Sequence, residues 1–114
     1  MRYSILLLIS LFQFTFAQNS IERLENSPRH HEWVKIDTNT NEINSFLVYP
    51  EVSEKVSVVV LIHENRGLND WARSMTDQIA EMGYIAIAPD FLSGTAPNGG
   101  GTNDYQNSDD ARTG

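Results

Sequence analysis

Cysteine is absent from this 114-residue chain. No disulfide framework, thiolate metal site or Cys nucleophile can therefore lie within it. Basic residues are scarce: eight Lys and Arg stand against fifteen Asp and Glu, a formal net charge of −7. Phosphate backbones are held by clustered Lys and Arg, so this balance argues against nucleic acid as a partner. Net charge bears on solubility and association and says nothing of fold. No apolar run reaches the ~20 residues a bilayer crossing needs, so no stable membrane span is expected. The length allows at most one small domain, and no internal repeat is visible.

What is present begins with a leader. Arg2 precedes a mostly apolar stretch, residues 5–16, broken only by Ser10, Gln13 and Thr15. Thr15-Phe16-Ala17 places small residues at the two positions a signal peptidase reads. Residues 1–17 are expected to be a secretory signal peptide cut between Ala17 and Gln18, giving a secreted or periplasmic protein. The competing reading, a membrane anchor, lacks the length and a basic stop-transfer cluster. Residues 18–31 read as a linker or short helical arm, with Ile21 and Leu24 able to pack and Pro28 ending any helix.

Residues 32–37 (EWVKID) alternate in polarity, residues 38–42 (TNTNE) carry turn chemistry, and residues 43–49 (INSFLVY) form a second strand ended by Pro50. Together they predict a β-hairpin. Residues 56–62 are almost continuously apolar and β-branched, the pattern of a strand covered on both faces in a parallel sheet. Asn69 or Asp70 can then cap a helix. Trp71, Met75, Ile79 and Met82 form one stripe, read as core, and Arg73 can pair with Asp77 one turn on. Gly83 suits a C′ stop. Residues 84–88 (YIAIA) are a second buried strand closed by Pro89-Asp90.

Strand, helix, strand with short links is a βαβ unit, so the fold class is α/β with an antiparallel hairpin at one side. Residues 93–114 read as a long loop, with Ser108-Asp109-Asp110 capping a helix expected to start where the chain stops. One helix cannot cover two faces of a parallel pair. Residues 32–114 are therefore expected to be part of a larger domain.

The charged tip HENRG, residues 63–67, ends the first parallel strand. Open α/β sheets bind ligands at the carboxyl ends of their strands, where backbone N–H groups can face a developing anion. A solvated Glu64–Arg66 pair on an ordinary turn is the plainer alternative. His63 is either a general base or a packed, hydrogen-bonded residue, the second being commoner. His30-His31-Glu32 could ligate a metal, but neighbours on a strand point to opposite faces, and no further ligand cluster accompanies them. Gly99-Gly100-Gly101 lacks the Lys-Ser/Thr of a phosphate loop and reads as a flexible lid or linker.

The segment VVVLIHENRGLNDWARSMTDQIAEMGYIAIAPDFLSG resembles the dienelactone hydrolase family of α/β-hydrolases. The matching features are an apolar strand, His-Glu-x-x-Gly-Leu, an amphipathic helix, and Gly-Tyr-x-Ala-x-Ala-Pro-Asp. The likeness covers residues 56–94, is weaker over the hairpin, and extends to APNGGGT, residues 96–102, which looks like a loop of secreted members. It implies the N-terminal part of an α/β-hydrolase sheet, truncated before the nucleophile elbow. It also implies a Cys–His–Asp triad that cleaves small ester or lactone substrates through an acyl-enzyme, with neither metal nor cofactor. By the same resemblance, Glu64 would tune the nucleophile and the backbone N–H of Asn65 would line the oxyanion hole. The family's substrate-binding arginine after Pro-Asp has no counterpart here, where Ser93 and Gly94 follow instead. A non-catalytic secreted binding module on the same fold is the alternative from another class.

Overall fold

The computed structural model describes residues 19–113; the leader expected at residues 1–17 lies outside them. Strand β1 (His31–Asp37) and strand β2 (Glu42–Val48) pair antiparallel in full register, Trp33 opposite Phe46 and Asp37 opposite Glu42. The turn between them is closed by Thr38, whose N–H donates to the Asn41 carbonyl at 2.8 Å. The hairpin is thus where the alternating pattern put it.

Strand β3 (Val58–Val60) pairs parallel with strand β4 (Ile85–Pro89), and β4 pairs antiparallel with β2. The sheet order is β1-β2-β4-β3. The regular part of β3 is shorter than the seven-residue apolar run, although Leu61 N–H still donates to Ile87 O at 2.9 Å. It is also not covered as expected. Among the described residues β3 is an edge strand, and Val58 and Val60 are more than half exposed at 58% and 56%. The run is apolar enough to be buried, but among the described residues no second layer covers it.

Helix α1 covers residues 19–26. Helix α2 (Asp70–Glu81) joins β3 to β4 and packs on β4 and β2. Asn69 is its N-cap: the side-chain carbonyl accepts from Ala72 N–H at 3.0 Å, satisfying one of the donors a helix start leaves free. Gly83 follows the last turn at φ +100, the left-handed stop that glycine tolerates.

The buried face of α2 differs from the expected stripe. Trp71 and Met82 are exposed at 54% and 68%, while Ala72, Thr76 and Ala80 are buried with Ser74 and Asp77. Ala72 and Ala80 lie in the core cluster with Ala86 and Ala88 of β4, together with Phe46, Val48 and Leu68. Small side chains on both elements let helix and sheet backbones approach closely; of the expected stripe Ile79 packs against this core, while Trp71 and Met82 are turned aside. The expected Arg73–Asp77 pair is also absent. Arg73 pairs instead with Asp70, and its guanidinium lies 6.0 Å and 5.9 Å from the ring centres of Trp33 and Phe46.

Asp77 instead holds the N-terminal arm. Its carboxylate is wholly buried. It accepts from Ser27 Oγ at 2.5 Å, from Arg29 Nε and Nη2 at 3.0 and 2.8 Å, and stands 2.9 Å from His31 Nε2. Arg23 Nε lies 3.3 Å away, and Arg23 also pairs with Glu81. The arm is therefore docked along α2 as a part of the fold, and Leu24 packs against the core.

Candidate active site

The tip after β3 is built as a tight turn in which Gly67 N–H donates to Glu64 O at 3.0 Å. Gly67 is buried at φ +77, and a Cβ there would meet Leu92 Cδ1 at 2.7 Å. Both the conformation and the space therefore demand glycine.

His63 fixes the tip to the end of β4. Phe91 N–H donates to His63 Nε2 at 3.0 Å, and His63 Nδ1 lies 2.7 Å from the Glu64 carbonyl oxygen. Nε2 accepts, so Nδ1 is the nitrogen left to donate to the Glu64 carbonyl. The side chain is 6% exposed. Of the two readings of His63, the geometry matches the packed, hydrogen-bonded one.

A second tie was not visible in sequence. Asp90 accepts from Thr102 N–H at 2.8 Å, Thr102 Oγ1 at 2.7 Å and Leu92 N–H at 3.0 Å, while Leu68 N–H donates to Thr102 Oγ1 at 2.9 Å. The glycine-rich stretch expected to be a flexible lid or linker is thus folded back onto the Pro-Asp end of β4. Short 3-10 turns at Pro97–Gly99 and Thr102–Asp104 carry it there. Buried Gly101 lets the loop pass Asp90, whose Oδ2 would lie 2.6 Å from an added Cβ. Helix α3 (Ser108–Thr113) follows, and its cap is Asn107, whose Oδ1 accepts from Asp109 and Asp110 N–H. The expected cap residues instead lie inside the helix.

Beside the tip is a cavity of about 420 Å³ lined by Leu61, Ile62, Trp71 and Met75, with His63, Glu64 and Asn69 at its polar end. Trp71 and Met75, expected in the core, are walls of this cavity. Glu64 is an exposed residue on that wall; Asn65, the other predicted site residue, is exposed and does not line it. Among the described residues no group accepts a hydrogen bond from the Asn65 N–H. Arg66 lies outside this cavity, on the wall of a neighbouring one. The two histidines at the start of β1 part company: His31 meets Asp77, and His30 faces Glu32 at 3.6 Å.

The family model for the dienelactone hydrolase family matches residues 43–113, more than half of the chain. The chain belongs to the dienelactone hydrolase family. A protein of Escherichia coli (strain K12) named as a hydrolase fragment, YghX, is 47% identical over 53 residues, covering 46% of this chain and 45% of that protein. A Synechocystis protein named as a carboxymethylenebutenolidase is 34% identical over 64 residues, covering 56% of this chain and 26% of that protein. The chain therefore spans less than half the length of these curated relatives. A crystal structure named as a dienelactone hydrolase, from Klebsiella pneumoniae, superposes with a TM-score of 0.55 at 21% identity. The match covers 69% of this chain and 32% of that one. At that identity the likeness speaks for the fold alone, and the fold is that of an α/β-hydrolase. The family match over residues 43–113 spans β2 to α3 and takes in both segments that His63 and Thr102 tie together, the tip at residues 63–67 and the loop after Pro89-Asp90.

Proposed function

We propose that the complete protein is a hydrolase of small ester or lactone bonds, and that this chain supplies the strand-end tip beside its reaction centre. In this reading Glu64 tunes the ionisation of a Cys nucleophile in a Cys–His–Asp triad contributed by the rest of the protein. A thiol becomes a nucleophile as its thiolate, so a carboxylate at the mouth of a partly apolar site can govern when it ionises. The N–H of Asn65 serves as an oxyanion donor, a role open to an N–H that no described residue engages. The observation that carries the reading is the position of Glu64, which is held on the wall of an apolar cavity at a strand's carboxyl end by His63 and Gly67. The leader at residues 1–17 would send the protein to the periplasm or outside the cell.

The test is Glu64→Gln in the complete protein, with turnover of p-nitrophenyl acetate as the readout. The expected result is a fall in kcat/KM of roughly tenfold or more with an unchanged thermal transition. Unaltered turnover removes Glu64 from the mechanism.

A further inference from the structure

The cavity at Glu64 has a neighbour of opposite character. A second hollow of about 240 Å³ is lined by Arg66, Asn69, Asn103, Tyr105 and Asn107, with Asp70 on the same wall. Asn69 belongs to both walls. A molecule at the tip would therefore meet hydrocarbon on one side of Asn69, from Leu61, Ile62, Trp71 and Met75, and hydrogen-bonding groups on the other.

The hydrogen-bonding capacity of the polar side is partly uncommitted. Asn69 uses its carbonyl to cap α2, which leaves its amide donors. Asn107 is engaged at both ends, by Asp110 and by the α3 backbone, and contributes shape alone. Tyr105 OH shares one bond, with Thr95 Oγ1 at 2.8 Å. Among the described residues no carboxylate stands within ion-pair distance of Arg66. Guanidinium, carboxamide and phenol together offer donors and acceptors in several directions. Asp70, already paired with Arg73, keeps a carboxylate on the same wall, which is adverse to a free anion but not to hydroxyl groups. This mixture suits a neutral ligand dense in oxygen.

We propose that the site takes esters joining a small apolar acyl group to an oxygen-rich alcohol, an acylated sugar or polyol. The acyl part lies in the apolar cavity at Glu64 and the sugar in the hollow at Arg66 and Asn103. Hydrolysis adds water across the acyl C–O bond and releases a short carboxylic acid and the free sugar. The proposal rests on the hydrolase reading above, and the experiment separates the two.

The complete protein is assayed on three acetate esters: mono-O-acetyl methyl xyloside, cyclohexyl acetate, and 4-acetoxycyclohexanecarboxylate. These share the acyl group and differ in whether the ring carries hydroxyls, nothing or a carboxylate. The expected result is a kcat/KM at least about tenfold higher for the xyloside than for cyclohexyl acetate. Arg66→Ala and Asn103→Ala should each lower that ratio several-fold, mainly through KM. Equal or better turnover of cyclohexyl acetate overturns the inference, as does a preference for the carboxylate ester or a ratio that neither variant moves. In those cases the hydrolase reading survives. No turnover of any ester overturns both.

Discussion

Asp77→Asn is the sharpest perturbation of the fold, because it removes one charge from a fully buried hub and changes little else in shape. Burial alone pushes the Asp77 carboxyl upward. Hydrogen bonds from Arg29, Ser27 and His31, with the charge of Arg29, outweigh it and bring the pKa from 3.8 to about 2. At ~1.36 kcal/mol per unit this depression corresponds to roughly 2 kcal/mol of native-state stability. The folded pKa lies below the unfolded one. The stability is therefore fully present above about pH 4 and is lost as pH falls through about 2.

The amide leaves Arg29, whose side chain is 7% exposed, with Glu51 at 3.8 Å as its remaining ion-pair partner among the described residues. Breaking one side of a buried pair costs ~3–5 kcal/mol. The retained amide oxygen and the partly exposed Arg23 and His31 favour the lower end, about 3 kcal/mol. In the complete protein, a larger domain, the melting midpoint should fall by ~6–12 °C. Urea unfolding of wild type and variant at pH 7 and at pH 2.5 measures both effects. At pH 7 the gap should be about 3 kcal/mol, and it should narrow at the lower pH. Adding Arg29→Met to Asp77→Asn should recover part of the loss by removing the orphaned charge. A gap under ~1 kcal/mol at pH 7, or one that does not change with pH, would refute the hub as a source of stability.

Gly67→Ala should cost about 2 kcal/mol or more, since alanine resists φ +77 and its Cβ would displace Leu92 and Thr102. A chemical-denaturation midpoint equal to wild type would show that the tip is looser than the Asp90–Thr102 tie implies. The leader is tested by expressing the complete gene in a bacterial host and sequencing the N-terminus of the exported protein. The expected first residue is Gln18, and retention of Met1 in the soluble cytoplasmic fraction would contradict export.

The parts of this molecule legible in sequence are those written in local chemistry. The β1–β2 hairpin, the Asn69 cap and the Gly83 stop each follow from a few neighbouring residues. Periodicity revealed that α2 has faces but not which face meets the sheet. Trp71 and Met75 are apolar enough for the core but line the cavity instead. The sheet's own alanines, Ala86 and Ala88, select the small stripe of Ala72, Thr76 and Ala80. The one-turn rule pairs Asp77 with Arg73. Its true partners lie 46 to 50 positions earlier at Ser27, Arg29 and His31, where no local pattern points. The Asp90–Thr102 tie is equally non-local. Polar, glycine-rich residues 93–104 carry no periodic signal, and a loop that exists to reach a distant carboxylate is indistinguishable from a linker until the carboxylate is placed.

The same tie bears on what His63 can be. His63 Nε2 and Asp90 Oδ1 are 3.8 Å apart, with side chains 6% and 7% exposed. A histidine and an aspartate buried side by side at a strand end invite reading as two members of a triad. The hydrogen bonds run the wrong way for that. A general base must present a free ring nitrogen to its nucleophile while its other N–H is held by the acid. Here the nitrogen nearer Asp90 already accepts from Phe91 N–H, the protonated nitrogen faces a carbonyl, and Asp90 is occupied by Thr102 and Leu92. The pair therefore joins the His-Glu turn to the Pro-Asp loop and leaves Glu64 as the tip's free carboxylate on the cavity wall. If the complete protein is a hydrolase, its base is then a residue other than His63. His63→Gln should then act through the position of Glu64, altering stability and KM together, and should leave the pH dependence of kcat where it was.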